Sequence, residues 1–160
     1  MLDANVLYSI VVTDLVMELA STGLFRARWS EDVHAEWMRN VEKDRPDLPA
    51  AAIEKRRRAM DRAIPNALVT GYETLIDGLV LPDPDFPEVN LAAHSIEVQH
   101  PDEFLNHQRT LNEALFLTCV KAVRARLKNP KHSPQGYIDN LRSCQLQVIA
   151  AELEQVKALI

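Results

Sequence analysis

The sequence is poor in cysteine and glycine, and it contains no long apolar run. Its two cysteines, Cys119 and Cys144, show no metal-ligand spacing and are better interpreted as reduced core residues than as a disulfide framework. Four glycines supply no glycine-rich phosphate loop, which leaves Rossmann and P-loop folds without support. No uncharged apolar run approaches the roughly 18 residues that span a bilayer. The start, Met1-Leu2-Asp3, lacks the pattern of a signal peptide, so we expect a cytoplasmic protein with no membrane partner.

The histidines, serines and cysteines of the sequence also form no recognisable catalytic or zinc-binding motif. None of the five histidines belongs to an HExxH-like pair, so a zinc site is not expected. No serine or cysteine lies in a recognisable nucleophile motif. With 160 residues, 47% hydrophobic and 26% charged, the chain has the composition of one soluble globular domain. The carboxylates remain as the candidates for chemistry.

The charge is unevenly distributed. The chain has 18 basic and 23 acidic residues, a net charge of −5. Residues 1–99 hold 17 acidic and 10 basic residues, whereas residues 100–160 hold 6 acidic and 8 basic residues. An acidic chain does not attract nucleic acid by its net charge, so nucleic-acid binding requires a local basic patch or a bound cation.

The first part of the chain reads as alternating strands and helices. A short apolar stretch at residues 2–8 and a period-two pattern at residues 25–29 suggest strands. Thr13 is a candidate N-cap for a helix that ends at Gly23, and Ser30 is a candidate N-cap for the next helix. A strand-helix-strand-helix order is typical of a parallel α/β unit.

The chain is predicted to continue as an α/β core to about residue 99 and to be helical beyond it. Pro49 begins a third helix, and residues 66–70 form either a short strand or a connector. From Pro101 onward the pattern is all helix, with a capping box at residues 110–113 and a further helix start at Ser133. We expect the apolar stripes of these helices to pack on the core, the alternatives being a homodimer or an antitoxin-binding surface.

Four carboxylates follow strand-like residues or lie early in helices. Asp3 follows a strand stub at the N-terminus, Glu36 lies one turn into the second helix, and Asp83 and Asp85 follow the apolar residues 79–81. In an open parallel sheet the ligand crevice lies at the carboxyl ends of the strands, where such acids converge. Converging carboxylates need a cation, and oxygen ligands suit Mg²⁺ or Mn²⁺, which activate water in phosphodiester cleavage. The alternative is that these acids are solvated surface residues, as most charged residues are.

Four segments in order resemble a bacterial PIN domain with a helical C-terminal extension. They are residues 2–7 (LDANVL), residues 25–30 (FRARWS) with Glu36, residues 81–85 (LPDPD) and residues 100–105 (HPDEFL). The resemblance implies a three-layer α/β fold with a central parallel sheet, followed by the helical extension. It also implies a ribonuclease that depends on Mg²⁺ or Mn²⁺ and acts on RNA, a class that includes the toxins of VapC-type toxin–antitoxin pairs and so implies an antitoxin partner.

The same resemblance assigns roles to individual residues. It divides the chain into a PIN-like core at residues 1–99 and an extension at residues 100–160. The implied catalytic acids are Asp3, Glu36 and Asp85, with Asp83 as a further metal ligand and with Asn5 and Ser30 as polar support. Outside this set, Arg56, Arg57 and Arg58 form the densest basic cluster, which could hold a phosphate backbone, although a solvated helix face is the preferred interpretation.

The chain departs from the family pattern after Asp85. Phe86 follows at once, where the family has a further acid, a helix and a buried strand, and a parallel crossover needs a dozen or more residues. The start at Met1-Leu2 is likewise shorter than a typical strand of about five residues. Either the natural polypeptide contains these segments, or the protein is a shortened relative. We favour the first, because losing a core strand leaves a cavity and unpaired backbone groups; an intact mass well above 18.1 kDa tests it.

Two alternatives to a ribonuclease remain open at this point. The first is a non-catalytic PIN-like interaction module that has lost part of its acid set, which an absence of Mn²⁺ binding would indicate. The second is a mostly helical regulator, which negligible strand content would indicate.

Overall fold

The computed structural model of the chain describes residues 1–72, 97–128 and 131–160. The regular structure in these ranges is helical, and it comprises α1 (Ala4–Tyr8), α2 (Ile10–Ser21), α3 (Glu31–Asp44), α4 (Ala50–Ala63), α5 (Pro101–Leu111), α6 (Glu113–Arg126), α7 (Pro134–Ser143), α8 (Gln147–Gln155) and a 3₁₀ turn (Lys157–Leu159). None of the helices in these ranges has the length and apolar character needed to cross a lipid bilayer.

The predicted three-layer α/β fold with a central parallel sheet is wrong, because the described residues form no strand. The first predicted strand, residues 2–8, is instead the site of α1. Asp3 caps that helix, its side chain accepting a hydrogen bond from the Asn5 backbone N–H at 3.2 Å. A short apolar run fits a strand or a buried helix equally well by periodicity, and here the N-cap and the packing of α1 against α3 produce the helix.

The second predicted strand, residues 25–29, has too few backbone partners among the described residues to form a ladder. Its sheet-like pairing with that part of the chain is an isolated parallel bridge between Trp29 and Leu68, in which the Trp29 N–H donates to Ala67 O at 3.0 Å and the Val69 N–H donates to Trp29 O at 2.8 Å. Residues 66–70 are therefore a connector. For the fold, the mostly helical alternative is the one that the described residues support.

Several helix ends agree with the local signals in the sequence. Ser30 caps α3 by accepting from the Val33 N–H at 3.3 Å, and Ser133 caps α7 by accepting from the Gly136 N–H at 3.0 Å. Gly23 follows α2 with a φ of +80°, the left-handed conformation that glycine adopts without a steric penalty. These ends are set by side chains within three residues of the cap, which is why the sequence alone predicts them.

Two other predicted caps are wrong. The N-cap of α2 is Ser9, not Thr13, and the Thr13 hydroxyl lies inside the helix and donates to Ser9 O at 2.8 Å. Thr110 lies within α5, where its hydroxyl donates to His107 O at 2.8 Å. Asn112 caps α6 instead, accepting from the Leu115 N–H at 3.1 Å, because the chain turns two residues later than the capping-box pattern suggests.

Helix α2 lies at the centre of the hydrophobic core. Most of its side chains are buried, including Leu15, Val16 and Leu19, and it packs against α1, α4, α6 and α7. The rings of Phe25 and Phe104 meet edge to face, with their centroids 4.8 Å apart, and join the N-terminal part to α5. Helices α6 and α7 thus pack on α2 of the N-terminal part, and α8 packs on α5 and α7.

A buried carboxylate joins helix α5 to helix α8. Asp102, in the first turn of α5, accepts hydrogen bonds from the backbone N–H groups of Val148 at 2.7 Å and Ile149 at 2.9 Å. These amides belong to the first turn of α8, whose N-cap residue, Leu146, supplies no side-chain hydrogen bond. Arg109 adds an ion pair from α5 to Glu152 of α8 at 3.0 Å. The Asp102 side chain therefore supplies the capping hydrogen bonds of α8 from another helix.

Candidate functional site

The predicted acid Asp3 lies at the N-terminus of α1, where its carboxylate acts as the helix cap. Asn5, predicted as polar support, is exposed on the first turn of the same helix and contributes its backbone N–H to that cap. A carboxylate is favourable at this position, since it pairs with a free amide and with the positive end of the helix dipole. The location of Asp3 thus has a local structural explanation beside the predicted catalytic one.

The predicted acid Glu36 lies on α3, which packs against α1. Its side chain is exposed, and Ser30, the second predicted support residue, is buried at the N-cap of the same helix. Within the described ranges, neither Glu36 nor Asp3 forms an ion pair. The structure therefore places both acids on adjoining helices and leaves both charges without a basic partner in those ranges.

The described residues alone do not form a metal site. They contain no group of three or more histidine, cysteine, aspartate or glutamate side chains close enough to hold an ion. Asp83 and Asp85, together with the shortened segment after Asp85, lie outside the described residues. Asp3 and Glu36 supply the oxygen ligands that Mg²⁺ and Mn²⁺ prefer, and a third ligand would have to come from outside the described residues.

Arg56, the first arginine of the basic cluster, points inward. Its guanidinium donates hydrogen bonds to the backbone oxygens of Leu7 and Tyr8, at the C-terminal end of α1, and to the Thr13 hydroxyl at 2.8 Å. It also stacks over the Trp37 ring at 4.7 Å. Burial lowers the pKa of Arg56 to about 10, against a smaller opposing effect of Asp14. Arg56 therefore joins α4 to α1, α2 and α3.

Arg57 and Arg58 take part in ion pairs on the surface. Arg57 pairs with Glu31 at 2.7 Å, across to the first turn of α3, and Arg58 pairs with Glu54 of its own helix at 2.8 Å. A phosphate contact requires an exposed side chain. Of the three arginines only Arg58 is exposed, and Arg56 and Arg57 are partly buried. The phosphate-binding role of this cluster remains a prediction, and the structure gives Arg56 a different set of partners.

A buried polar cluster that the sequence did not indicate lies between α3 and α4. The Trp37 indole N–H donates to His34 Nδ1 at 2.9 Å, so the ring proton of neutral His34 is on Nε2, which faces Asp61 Oδ1 at 3.0 Å. The Trp29 indole N–H donates to the same Asp61 oxygen at 3.3 Å. His34 and Trp37 have the i, i+3 spacing of one helix face, but nothing local to them indicates Asp61.

This cluster has the geometry of a structural network. Both ring nitrogens of His34 have partners, and its side chain is fully buried, so the imidazole has no free nitrogen to exchange a proton with a substrate. Asp61 orients the ring and accepts from two donors at once. The cluster therefore fixes α3, which carries Glu36, against α4.

Comparison with known families finds a match in the C-terminal helices. Residues 101–155 match the family described as the VapC50 C-terminal domain. Comparison with curated proteins and with solved structures gave no match. The matched residues run from the start of α5 to the end of α8, the two helices that Asp102 joins. The C-terminal region is therefore similar to a domain of VapC-type proteins, and the match does not extend to residues 1–99.

Proposed function

We propose that this protein is the toxin component of a toxin–antitoxin pair of the VapC type, and that it cleaves RNA. The similarity of residues 101–155 to the VapC50 C-terminal domain is the observation that carries the proposal. An antitoxin protein is the expected partner. In this proposal residues 1–99 carry the acids of the reaction, and residues 100–160 form a helical unit that packs on them.

The proposed chemistry is hydrolysis of a phosphodiester assisted by Mg²⁺ or Mn²⁺. Asp3 and Glu36 are the candidate ligands within the described ranges, and an acid of the Asp83/Asp85 turn is the proposed third ligand. Two observations support Asp3 and Glu36, namely their location on adjoining helices and the absence of basic partners for either of them in those ranges. A bound cation would offset the charge of these acids and let an acidic chain approach RNA.

Substitution of Asp3 tests the proposal, because its structural and chemical roles can be separated. Asparagine caps a helix about as well as aspartate, so Asp3→Asn keeps α1 while it removes the charge, whereas Asp3→Ala removes both. We expect Mg²⁺-dependent cleavage of a mixed RNA substrate to be lost in both variants. Thermal stability should fall in Asp3→Ala alone. Full cleavage by Asp3→Asn would overturn the assignment of Asp3.

The second candidate is a non-catalytic interaction module. It is favoured by one specific observation, which is that the described residues contain no group of three metal-binding side chains. Titration calorimetry with Mn²⁺ separates the candidates. Stoichiometric Mn²⁺ binding that is weakened in Asp3→Asn supports the ribonuclease, and no heat of binding in protein of confirmed mass supports the interaction module.

A further inference from the structure

One stretch of the C-terminal region is free of acidic residues. Residues 114–138 contain no aspartate or glutamate, and they contain five basic residues, namely Lys121, Arg124, Arg126, Lys128 and Lys131. The stretch begins in α6 and ends in α7. In a chain of net charge −5, it is a local concentration of positive charge.

Three lysines of this stretch lie in the C-terminal half of α6 or in the segment that follows it. Lys121 lies in α6, Lys128 lies two residues after its last residue, and both are exposed. An isolated antiparallel bridge sets Lys128 directly opposite Lys131, which is also exposed. Arg124 of α6 donates a hydrogen bond to His132 O at 3.0 Å. This bond holds the residue after Lys131 against α6. We call Lys121, Lys128 and Lys131 the basic surface.

The charges of the basic surface are not compensated by the protein in the described ranges. None of its three lysines forms an ion pair there. Arg126, on another side of α6, is different, because it pairs with Glu18 of α2 at 2.7 Å. Like charges placed opposite each other across a bridge repel, so a ligand of opposite charge would stabilise the pair formed by Lys128 and Lys131.

We propose that the basic surface binds the phosphate backbone of RNA. This inference rests on the proposed function and adds to it, since it assigns the RNA-binding surface to the C-terminal region rather than to the arginines of α4. The aromatic rings nearest in sequence, Phe116 and Tyr137, are buried and present no face for base stacking. The contact is therefore electrostatic and independent of base sequence, and single-stranded DNA of the same length binds in the same way.

The test is binding of a fluorescent single-stranded RNA, without divalent metal, over a range of salt concentrations. The variant Lys121→Gln/Lys128→Gln/Lys131→Gln removes three charges and keeps the apolar stems. Each phosphate contact adds about 0.7 to the slope of log affinity against log salt for single strands, so we expect the slope to fall by about 2. We expect the affinity at low salt to fall about tenfold or more.

The matched control is Arg39→Gln/Lys43→Gln/Lys55→Gln, which removes the same charge from exposed positions on α3 and α4. We expect its RNA affinity to change much less. Equal losses in both variants would show that net charge sets the affinity, and this would overturn the inference. Unchanged RNA binding in the lysine variant, with weakened binding of a polyglutamate peptide, would also overturn it and would identify an acidic protein segment as the partner.

A cleavage assay on the wild-type protein separates this inference from the proposed function. Mg²⁺-dependent cleavage together with unchanged RNA binding by the lysine variant would overturn the basic surface alone. Absence of cleavage together with weakened RNA binding by the lysine variant would overturn the ribonuclease proposal and support the basic surface as a nucleic-acid contact.

Discussion

The Asp102 carboxylate accepts a hydrogen bond from the backbone N–H of Ile149 at 2.9 Å, across 47 positions of sequence. Both groups are buried, and the second carboxylate oxygen accepts from the Val148 N–H at 2.7 Å. Two amides at the start of α8, which have no partner within the helix, are thereby satisfied by α5. The relationship explains why an aspartate occurs in the HPDEFL segment, and it joins the two ends of the region that matches the VapC50 C-terminal domain.

Replacement of Asp102 should destabilise the protein. Asp102→Ala leaves two amides at a buried helix start without an acceptor, and hydrogen bonds to charged groups contribute about 1.5–3 kcal/mol each, so we expect a loss of about 3 kcal/mol or more in the free energy of unfolding. Asp102→Asn keeps one acceptor and should lose about half as much. Urea unfolding followed by circular dichroism measures both. The neighbouring exposed Glu103→Ala is the control, and an equal effect there would contradict the capping role.

Asp61 provides a prediction about the buried polar cluster. In Asp61→Ala the indole N–H of Trp29 and the Nε2–H of His34 lose their common acceptor, which should cost about 1–3 kcal/mol of unfolding free energy. Trp29 and Trp37 are the two tryptophans of the chain, so the intrinsic fluorescence spectrum should change as well. Asp61→Asn retains an acceptor and should recover most of the loss. A spectrum unchanged in Asp61→Ala would show that the cluster does not hold these rings.

Arg56 should be intolerant of lysine. A lysine ammonium is not a planar fork, so Arg56→Lys should neither satisfy the oxygens of Leu7, Tyr8 and Thr13 together nor stack on the Trp37 ring. We expect a loss of about 1–3 kcal/mol in urea unfolding. Arg58→Lys, at an exposed position paired with Glu54, should change stability by no more than about 0.5 kcal/mol. Similar effects at both positions would contradict the structural role of Arg56.

The lowered pKa of Glu154 should make the stability of the protein depend on pH. Hydrogen bonds from Lys157, Gln135 and Arg142 lower the pKa of Glu154 from 4.5 to about 2. A carboxyl whose pKa is lowered in the folded state stabilises that state above the unfolded pKa, and the contribution is lost as pH falls through the folded pKa. The Tm of the wild type should therefore exceed that of Glu154→Gln above pH 4.5, and the difference should vanish as pH approaches 2. A difference that is constant over this window would contradict the lowered pKa.

Local sequence signals predict several of the helix ends. The features that the sequence does not predict depend on tertiary contacts. Ser30 and Ser133 cap helices through amides three residues away, a relationship that a sequence contains in full. The patterns at residues 2–8 and 25–29 predict strands because short apolar stretches are ambiguous, and strand formation depends on neighbours that the described residues do not supply. The cap of α8 by Asp102 depends on the packing of two helices and has no local signal.

The candidate site shows the same division. The sequence identified Asp3 and Glu36 as acids of interest, and the structure places them on adjoining helices. It did not identify the inward orientation of Arg56, because a run of three arginines on an amphipathic helix usually faces solvent. The cluster of His34 and Asp61 was missed for a similar reason, since its members are 27 residues apart and meet only when α3 packs on α4.

A comparison of two glutamates on α3 tests the central claim most directly. Glu36 and Glu42 are both exposed, and neither forms an ion pair within the described ranges, so Glu36→Gln and Glu42→Gln are matched changes in charge on one helix. The measurement is the rate of Mg²⁺-dependent cleavage of RNA. The account predicts that Glu36→Gln abolishes cleavage while Glu42→Gln cleaves at the wild-type rate. Equal rates for the two variants would contradict it.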